Sequence, residues 1–200
     1  MNLSEKGIQS IIRWETGGES YYDPNPEWPG EQSGVTIGIG WDLGHTSAAE
    51  TTRAWKDHLD AATLATLVSV SGHKGTEAQS RLPYVRHISI PWKAAMAVFK
   101  ETTVPSWYLK TLRIYPNTQD LPGDCAAALV SLCFNRGTSL SGERRKEMVE
   151  IQLLLGGKKY ADIPAQFRAM TRLWPNSKGL RRRREEEADL FEQGLVPAGE

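Results

Sequence analysis

The spacing of the apolar residues changes once along this chain, and that change limits the folds it can adopt. Val35, Ile37 and Ile39 alternate with small or polar residues inside the Gly-rich segment 19–45, a pattern typical of short β-strands joined by loops. From about residue 47 onward the apolar residues recur at helical spacing. The sequence therefore predicts an α+β fold, mainly helical, with a small Gly-rich β lobe near the N-terminus and a larger helical lobe.

Helices are predicted along most of the chain. The first lies over residues 4–16, where Ile8, Ile11 and Ile12 form one apolar face. The remaining helical segments have Gly or Pro between most of them. They lie near residues 47–57, 60–69, 75–80, 90–101, 105–113, 123–135, 143–155, 160–172 and 178–193.

The composition excludes several classes of protein. Lys and Arg number 24, as do Asp and Glu, so the net charge is zero, whereas nucleic-acid binders carry a positive excess. No apolar run approaches the roughly 18 residues of a membrane span. We therefore expect no nucleic-acid partner and no integral membrane association. One domain is expected over residues 1–200, with a β-containing lobe at about 15–46 and a helical lobe at about 47–200.

The chain termini, cysteines and histidines add three expectations. The N-terminal residues lack the pattern of a secretory signal peptide, so we expect synthesis in the cytoplasm. Cys125 and Cys133 lie eight residues apart in one predicted helix, too far apart for a disulfide, and are expected to be buried as small apolar residues. None of the four histidines has the spacing of metal ligands, so no catalytic metal is expected.

A run of charges near the C-terminus could be mistaken for a nucleic-acid patch. Residues 181–184 are all Arg and residues 185–187 are all Glu. On a helix these form pairs four residues apart, which predicts a self-neutralised surface.

Glu15 is the first candidate for chemistry. It follows Ile11 by four residues and Ile12 by three, which puts it on the apolar side of the first helix, at the C-terminal end. Partial burial and the helix dipole both disfavour the ionised carboxylate there, as a general acid requires. The alternative is an ordinary surface glutamate near a helix end.

The Gly-rich segment 33–45 is the second candidate. Its glycines allow tight turns and close backbone approach, and Thr36 and Asp42 are the polar side chains that such a hairpin can direct into a cleft. Four aromatic residues accompany it, and they either bind sugar rings or close the core of the small lobe. These are Tyr21, Tyr22, Trp28 and Trp41.

Together these motifs resemble the phage-type lysozymes of glycoside hydrolase family 24, and the pesticin-like branch most closely. The resemblance rests on three segments: residues 28–44 read WPGEQSGVTIGIGWDLG, residues 128–137 read ALVSLCFNRG and residues 179–188 read GLRRRREEEA. It implies a two-lobed lysozyme-like fold with a cleft between the lobes. It also implies hydrolysis of the β-1,4 bond between N-acetylmuramic acid and N-acetylglucosamine in peptidoglycan, without a cofactor.

The resemblance also implies the catalytic residues. Glu15 matches the general acid, and Thr36 matches the threonine that helps to hold the nucleophilic water. Asp42, six residues after Thr36, matches the second carboxylate of the pesticin-like branch and is preferred. Asp23, which follows Tyr22, is the alternative. Inversion is implied, which predicts carboxyl groups about 6.5–9.5 Å apart.

Five further residues are predicted to bind substrate. Tyr22, Trp41 and His45 lie near the predicted cleft in sequence, and Asn135 and Arg136 follow an apolar helix. Arg136 is equally suited to capping the C-terminal end of that helix.

The expected partner is the glycan strand of peptidoglycan, bound by a monomer that reaches the cell wall after release or delivery. A delivery partner or an immunity protein is compatible with this, and the role as endolysin or as toxin stays open. Two other functions remain alternatives: a non-catalytic glycan-binding module, and a chitinase-like or chitosanase-like glycosidase.

Overall fold

A computed structural model describes residues 1–196 of the chain. It is mainly helical, with one two-stranded antiparallel sheet, which confirms the predicted α+β class. The elements are α1 (Glu5–Thr16), β1 (Thr36–Ile37), β2 (Trp41–Asp42), α2 (Ala48–Trp55), α3 (Ala61–Val68), α4 (Gly75–Val85), α5 (Trp92–Val98), α6 (Val104–Ile114), α7 (Gly123–Arg136), α8 (Lys146–Gly156), α9 (Ile163–Ala169) and α10 (Lys178–Leu195).

Local chemistry explains where several helices begin. Ser47 and Glu50 form a capping box at α2, and the Asp60 carboxylate accepts the first free N–H groups of α3. Helix α8 begins at Lys146, three residues later than predicted, because Glu143–Arg145 form a 3₁₀ turn. No helix in the described part of the chain is long and apolar enough to cross a membrane.

The chain forms two compact units. One comprises Met1–Ile11 and the chain from Pro105 onward, and the other is Ile12–Val104. These units differ from the predicted division after residue 46, because helices α2 to α5 pack in the same unit as the hairpin. The ring of Trp55 in α2 lies edge-on to Trp41 of β2, with centroids 6.1 Å apart.

The unit that resumes at Pro105 is built around α7. Nine consecutive residues of this helix, Cys125–Cys133, are buried, and α10 packs against both α7 and α9. The two cysteines are free and buried, as predicted. Burial is the largest cause that raises the pKa of the Cys133 thiol to about 12, so this thiol remains protonated at neutral pH.

The arginine–glutamate run of α10 is a solvated surface only in part. Arg181, Arg182 and Glu185 are exposed as predicted, but three other residues of the run are not. Arg183, Arg184 and Glu187 are buried, with relative exposures of 3%, 0% and 2%. The Glu187 carboxylate lies 3.2 Å from Arg183 Nε and 2.8 Å from Arg184 Nη2, and it accepts a 2.6 Å hydrogen bond from Ser131 of α7. The prediction failed here because Arg183 and Glu187 lie on the side of α10 that faces α7, where both contact Ser131.

We expect Glu187→Gln to destabilise the protein strongly, because it leaves two buried guanidinium groups without their anion. The expected loss is about 3 kcal/mol of unfolding free energy, measured by urea denaturation. Glu186→Gln is the matched control. Its partner Arg182 is exposed, and such surface pairs contribute about 0.5 kcal/mol. Equal losses in the two variants would contradict a structural role for the buried cluster.

Candidate functional site

A small pocket in the unit Ile12–Val104 contains most of the predicted catalytic residues. Its volume is about 200 Å³. Three of its lining side chains are carboxylic acids, and the others are aromatic, polar or small. The pocket is lined by Glu15, Thr16, Tyr21, Tyr22, Asp23, Asn25, Glu27, Thr36 and Gly38.

Glu15 occupies the last turn of α1. The helix ends one residue later, where Gly17 and Gly18 adopt positive φ angles of 75° and 100° and turn the chain toward the pocket. Glu15 is an exposed residue, so the predicted partial burial is wrong. Ile8, Ile11 and Ile12 on the apolar side of α1 are buried, but this burial does not extend to Glu15 at the end of the helix.

Tyr22 forms a fixed wall of the pocket. Its hydroxyl donates to the carbonyl of Ile90 at 3.1 Å, and its ring lies 5.0 Å from that of Trp92. Burial, and next the charge of Asp23, raise its pKa to about 12. Tyr21, in contrast, is 81% exposed, so its ring is accessible at the pocket.

Hydrogen bonds join the segment that carries Asp23 to two residues, Ile88 and Ile90. The Asp23 carboxylate accepts a 2.9 Å hydrogen bond from the backbone N–H of Asn25, and the Asn25 amide donates to the carbonyl of Ile88 at 2.9 Å. The backbone N–H of Ile90 donates to Pro24 O at 2.8 Å. Asp23 is therefore held at the pocket by a local turn.

Glu27, Thr36 and Asp42 form one row across the small sheet. Glu27 and Thr36 exchange both backbone hydrogen bonds, at 3.0 and 2.8 Å, and Thr36 is the register partner of Asp42. Directly opposed residues of antiparallel strands direct their side chains to the same face. Glu27 was not among the predicted site residues, because it pairs with Thr36 across a loop whose length does not specify which residues pair.

The Asp42 carboxylate holds the hairpin together. It accepts hydrogen bonds from the backbone N–H groups of Gly34 at 3.0 Å, Gly44 at 2.8 Å and His45 at 3.3 Å. These donors fix the position of the carboxylate within the Gly-rich hairpin. Asp42 is next to Thr36 in the sheet, but it does not line the pocket with Glu15.

The other predicted binding residues have different surroundings. Trp41 is only 9% exposed and packs on Trp55, which favours the alternative that it closes the core of the small lobe. His45 is exposed, and its Nε2 lies 3.3 Å from the Gln32 carbonyl oxygen. The indole of Trp28 donates to the Ser33 carbonyl at 3.1 Å and closes a loop.

Asn135 and Arg136 belong to the unit that resumes at Pro105, where both line a separate cavity. They are therefore absent from the pocket of Glu15. Within residues 1–196, no group of three or more His, Cys, Asp or Glu side chains is arranged to hold a metal ion.

Comparison with known proteins supports the fold. A crystal structure of the active form of the phage P1 endolysin Lyz superposes with a TM-score of 0.56 and 18% sequence identity, covering 100% of this chain and 89% of the endolysin chain. The chain thus has a lysozyme-like fold, as predicted. A family model described as a domain of unknown function matches residues 12–105, nearly the same residues as the unit Ile12–Val104. No curated protein sequence matches the chain.

We expect Gly34→Ala to disrupt the hairpin. A methyl group at this position would overlap the backbone of Gly44 and the carboxylate of Asp42, so the unfolding free energy should fall by about 3 kcal/mol. Thermal unfolding measures the loss. Gly179→Ala is the control, because a methyl group there meets nothing within 4 Å and alanine favours the helix. An unchanged melting temperature for Gly34→Ala would contradict the close approach of Gly34 to Gly44 and Asp42.

Tyr22 should make stability depend on pH in the alkaline range. Its pKa rises from 10.0 to about 12 in the folded protein, so the unfolded chain releases this proton more readily. The stabilisation is therefore complete below about pH 10 and is lost as the pH rises through 12. We expect Tyr22→Phe to lessen the fall in melting temperature over this range. Tyr84→Phe, at a 71% exposed position, should leave the fall unchanged, and identical pH profiles for both variants would refute the assignment.

Proposed function

We propose that the protein is a peptidoglycan hydrolase of the N-acetylmuramidase type. One observation carries the proposal: a chain with the fold of a phage endolysin has Glu15 and Thr36 lining the same pocket. Inverting glycoside cleavage requires a proton donor on one side of the scissile bond and a positioned water on the other. Glu15 is proposed as the proton donor and Thr36 as a residue that helps to position the water, and exposed Tyr21 adds an aromatic ring of the kind that packs on sugars.

Glu15 is the proposed general acid. Its carboxyl lies in the last turn of α1 and lines the pocket. Glu15 is exposed in the free protein, so a glycan bound in the pocket could reach it. Its proposed role is to donate a proton to the glycosidic oxygen as the bond breaks.

Thr36 and Asp42 are proposed to act on the opposite side of the bond. The Thr36 hydroxyl would help to position the attacking water, and the Asp42 carboxylate would position the same water and accept the proton that it loses on attacking the sugar. Their register pairing and the three N–H donors to Asp42 support this role. Asp23 is the competing carboxylate, and its support is that it lines the pocket with Glu15.

Initial rates of turbidity loss on isolated peptidoglycan test the proposal. Glu15→Gln should reduce the rate about 10²–10⁴-fold, the usual contribution of a general acid. Asp42→Asn should also reduce it about a hundredfold or more, because the amide oxygen still accepts the backbone N–H groups but lacks the charge. Glu19→Gln is the control, since Glu19 is an exposed neighbour that does not line the pocket.

The remaining outcomes are equally informative. If Asp23→Asn abolishes activity while Asp42→Asn retains it, Asp23 takes the role of second carboxylate. Full activity of Glu15→Gln would overturn the mechanism. A folded wild-type protein that binds peptidoglycan without cleaving it would be a glycan-binding module instead. Proton NMR of the first-formed sugar anomer tests inversion, and retention would contradict the mechanism with a held water.

A further inference from the structure

The unit that resumes at Pro105 contains a second and larger cavity, of about 560 Å³. It lies where the C-terminal end of α7 meets the turn before α8, with Trp174 and Leu180 on another side. Three of its lining side chains are arginines. The cavity is lined by Asn135, Arg136, Ser141, Gly142, Glu143, Arg144, Arg145, Trp174 and Leu180.

Little negative charge balances the arginines of this cavity within residues 1–196, since Glu147, whose charge acts on Arg136, already pairs with Arg172 at 2.6 Å. Arg136 and Arg144 contact each other through the Arg136 guanidinium and the Arg144 carbonyl, and Arg145 donates to the sulfur of Met148 at 3.3 Å. Neither contact brings a negative charge. The one acidic residue of the lining, Glu143, pairs with Lys146 at 3.5 Å.

Arg136 is half-buried, as is Arg145. The guanidinium of Arg136 lies 4.8 Å from the centre of the Trp174 ring. Its Nε is buried without a hydrogen-bond partner. Burial, and then the charges of Arg145, Arg184 and Arg144, lower its pKa to about 10, so it remains a cation at neutral pH in an unfavourable position.

An anion would relieve this arrangement. Burying one cation beside others costs free energy unless a negative group compensates it. Guanidinium groups offer paired N–H donors that match the oxygens of carboxylates and phosphates. Asn135 and Ser141, which also line the cavity, add neutral polar groups that suit the remaining oxygens.

We propose that this cavity is a binding site for an oxyanion, a carboxylate or phosphate group, held by Arg136, Arg144 and Arg145. The site lies outside the pocket of Glu15 and does not depend on the glycosidase proposal. The chain has no net charge, yet this cavity is positive. Most of the salt bridges made by arginines outside the cavity are to glutamates.

Thermal shift at constant ionic strength tests the site, because a ligand that binds only the folded state raises the melting temperature. The probes are inorganic phosphate and glutarate, each exchanged against chloride, so that the two arms separate phosphate from carboxylate recognition. We expect a saturable rise with at least one probe. Arg145→Gln and Arg144→Gln should each weaken the apparent affinity about tenfold, as for the loss of one charged hydrogen bond.

Two controls distinguish a built site from general charge screening. Arg113→Gln removes the same charge from an exposed position outside the cavity and should retain the wild-type affinity. Arg145→Lys keeps the charge but loses the paired donors, and should bind more weakly than wild type. Equal responses of Arg113→Gln and Arg144→Gln, or a rise that never saturates, overturn the proposal. Arg144 is exposed, so Arg144→Gln remains a valid test if Arg145→Gln does not fold.

Discussion

The hydrogen bonds from Gly34, Gly44 and His45 to the carboxylate of Asp42 are the interaction on which the pocket depends. They close a hairpin of only two residues per strand, too short to be stable through strand pairing alone. With the hairpin closed, Thr36 has a fixed position between Glu27 and Asp42. The proposed catalytic function therefore rests on a carboxylate that also has a structural role.

Charge is segregated in this protein despite a net charge of zero. The pocket of Glu15 is lined by three acidic side chains and no basic one, which suits the proposed cleavage through a positively charged transition state. The cavity beside Arg136 has three arginines and one glutamate. The buried cluster of α10 has an intermediate charge balance, because Glu187 pairs with two arginines. Overall composition therefore says little about the potential at any one site.

Much of the architecture followed from the sequence. The change in apolar spacing near residue 47 predicted the helical segments, and the buried character of Cys125 and Cys133 followed from their apolar neighbours. Two interpretations went wrong for one reason. Glu15 was expected to be partly buried, and Arg184 was expected at the surface, because helical periodicity gives the direction of a side chain but not what packs against that face.

Local sequence alone determined the helices, the Gly-rich hairpin and the residue types available for chemistry, since these depend on contacts between near neighbours. The tertiary structure decided which of them meet. Glu27 joins Thr36 across a loop of no diagnostic length, Trp41 becomes part of the core because α2 packs on the hairpin, and Arg136 gains like-charged neighbours from other segments. Such contacts join residues far apart in sequence, and no spacing rule specifies them.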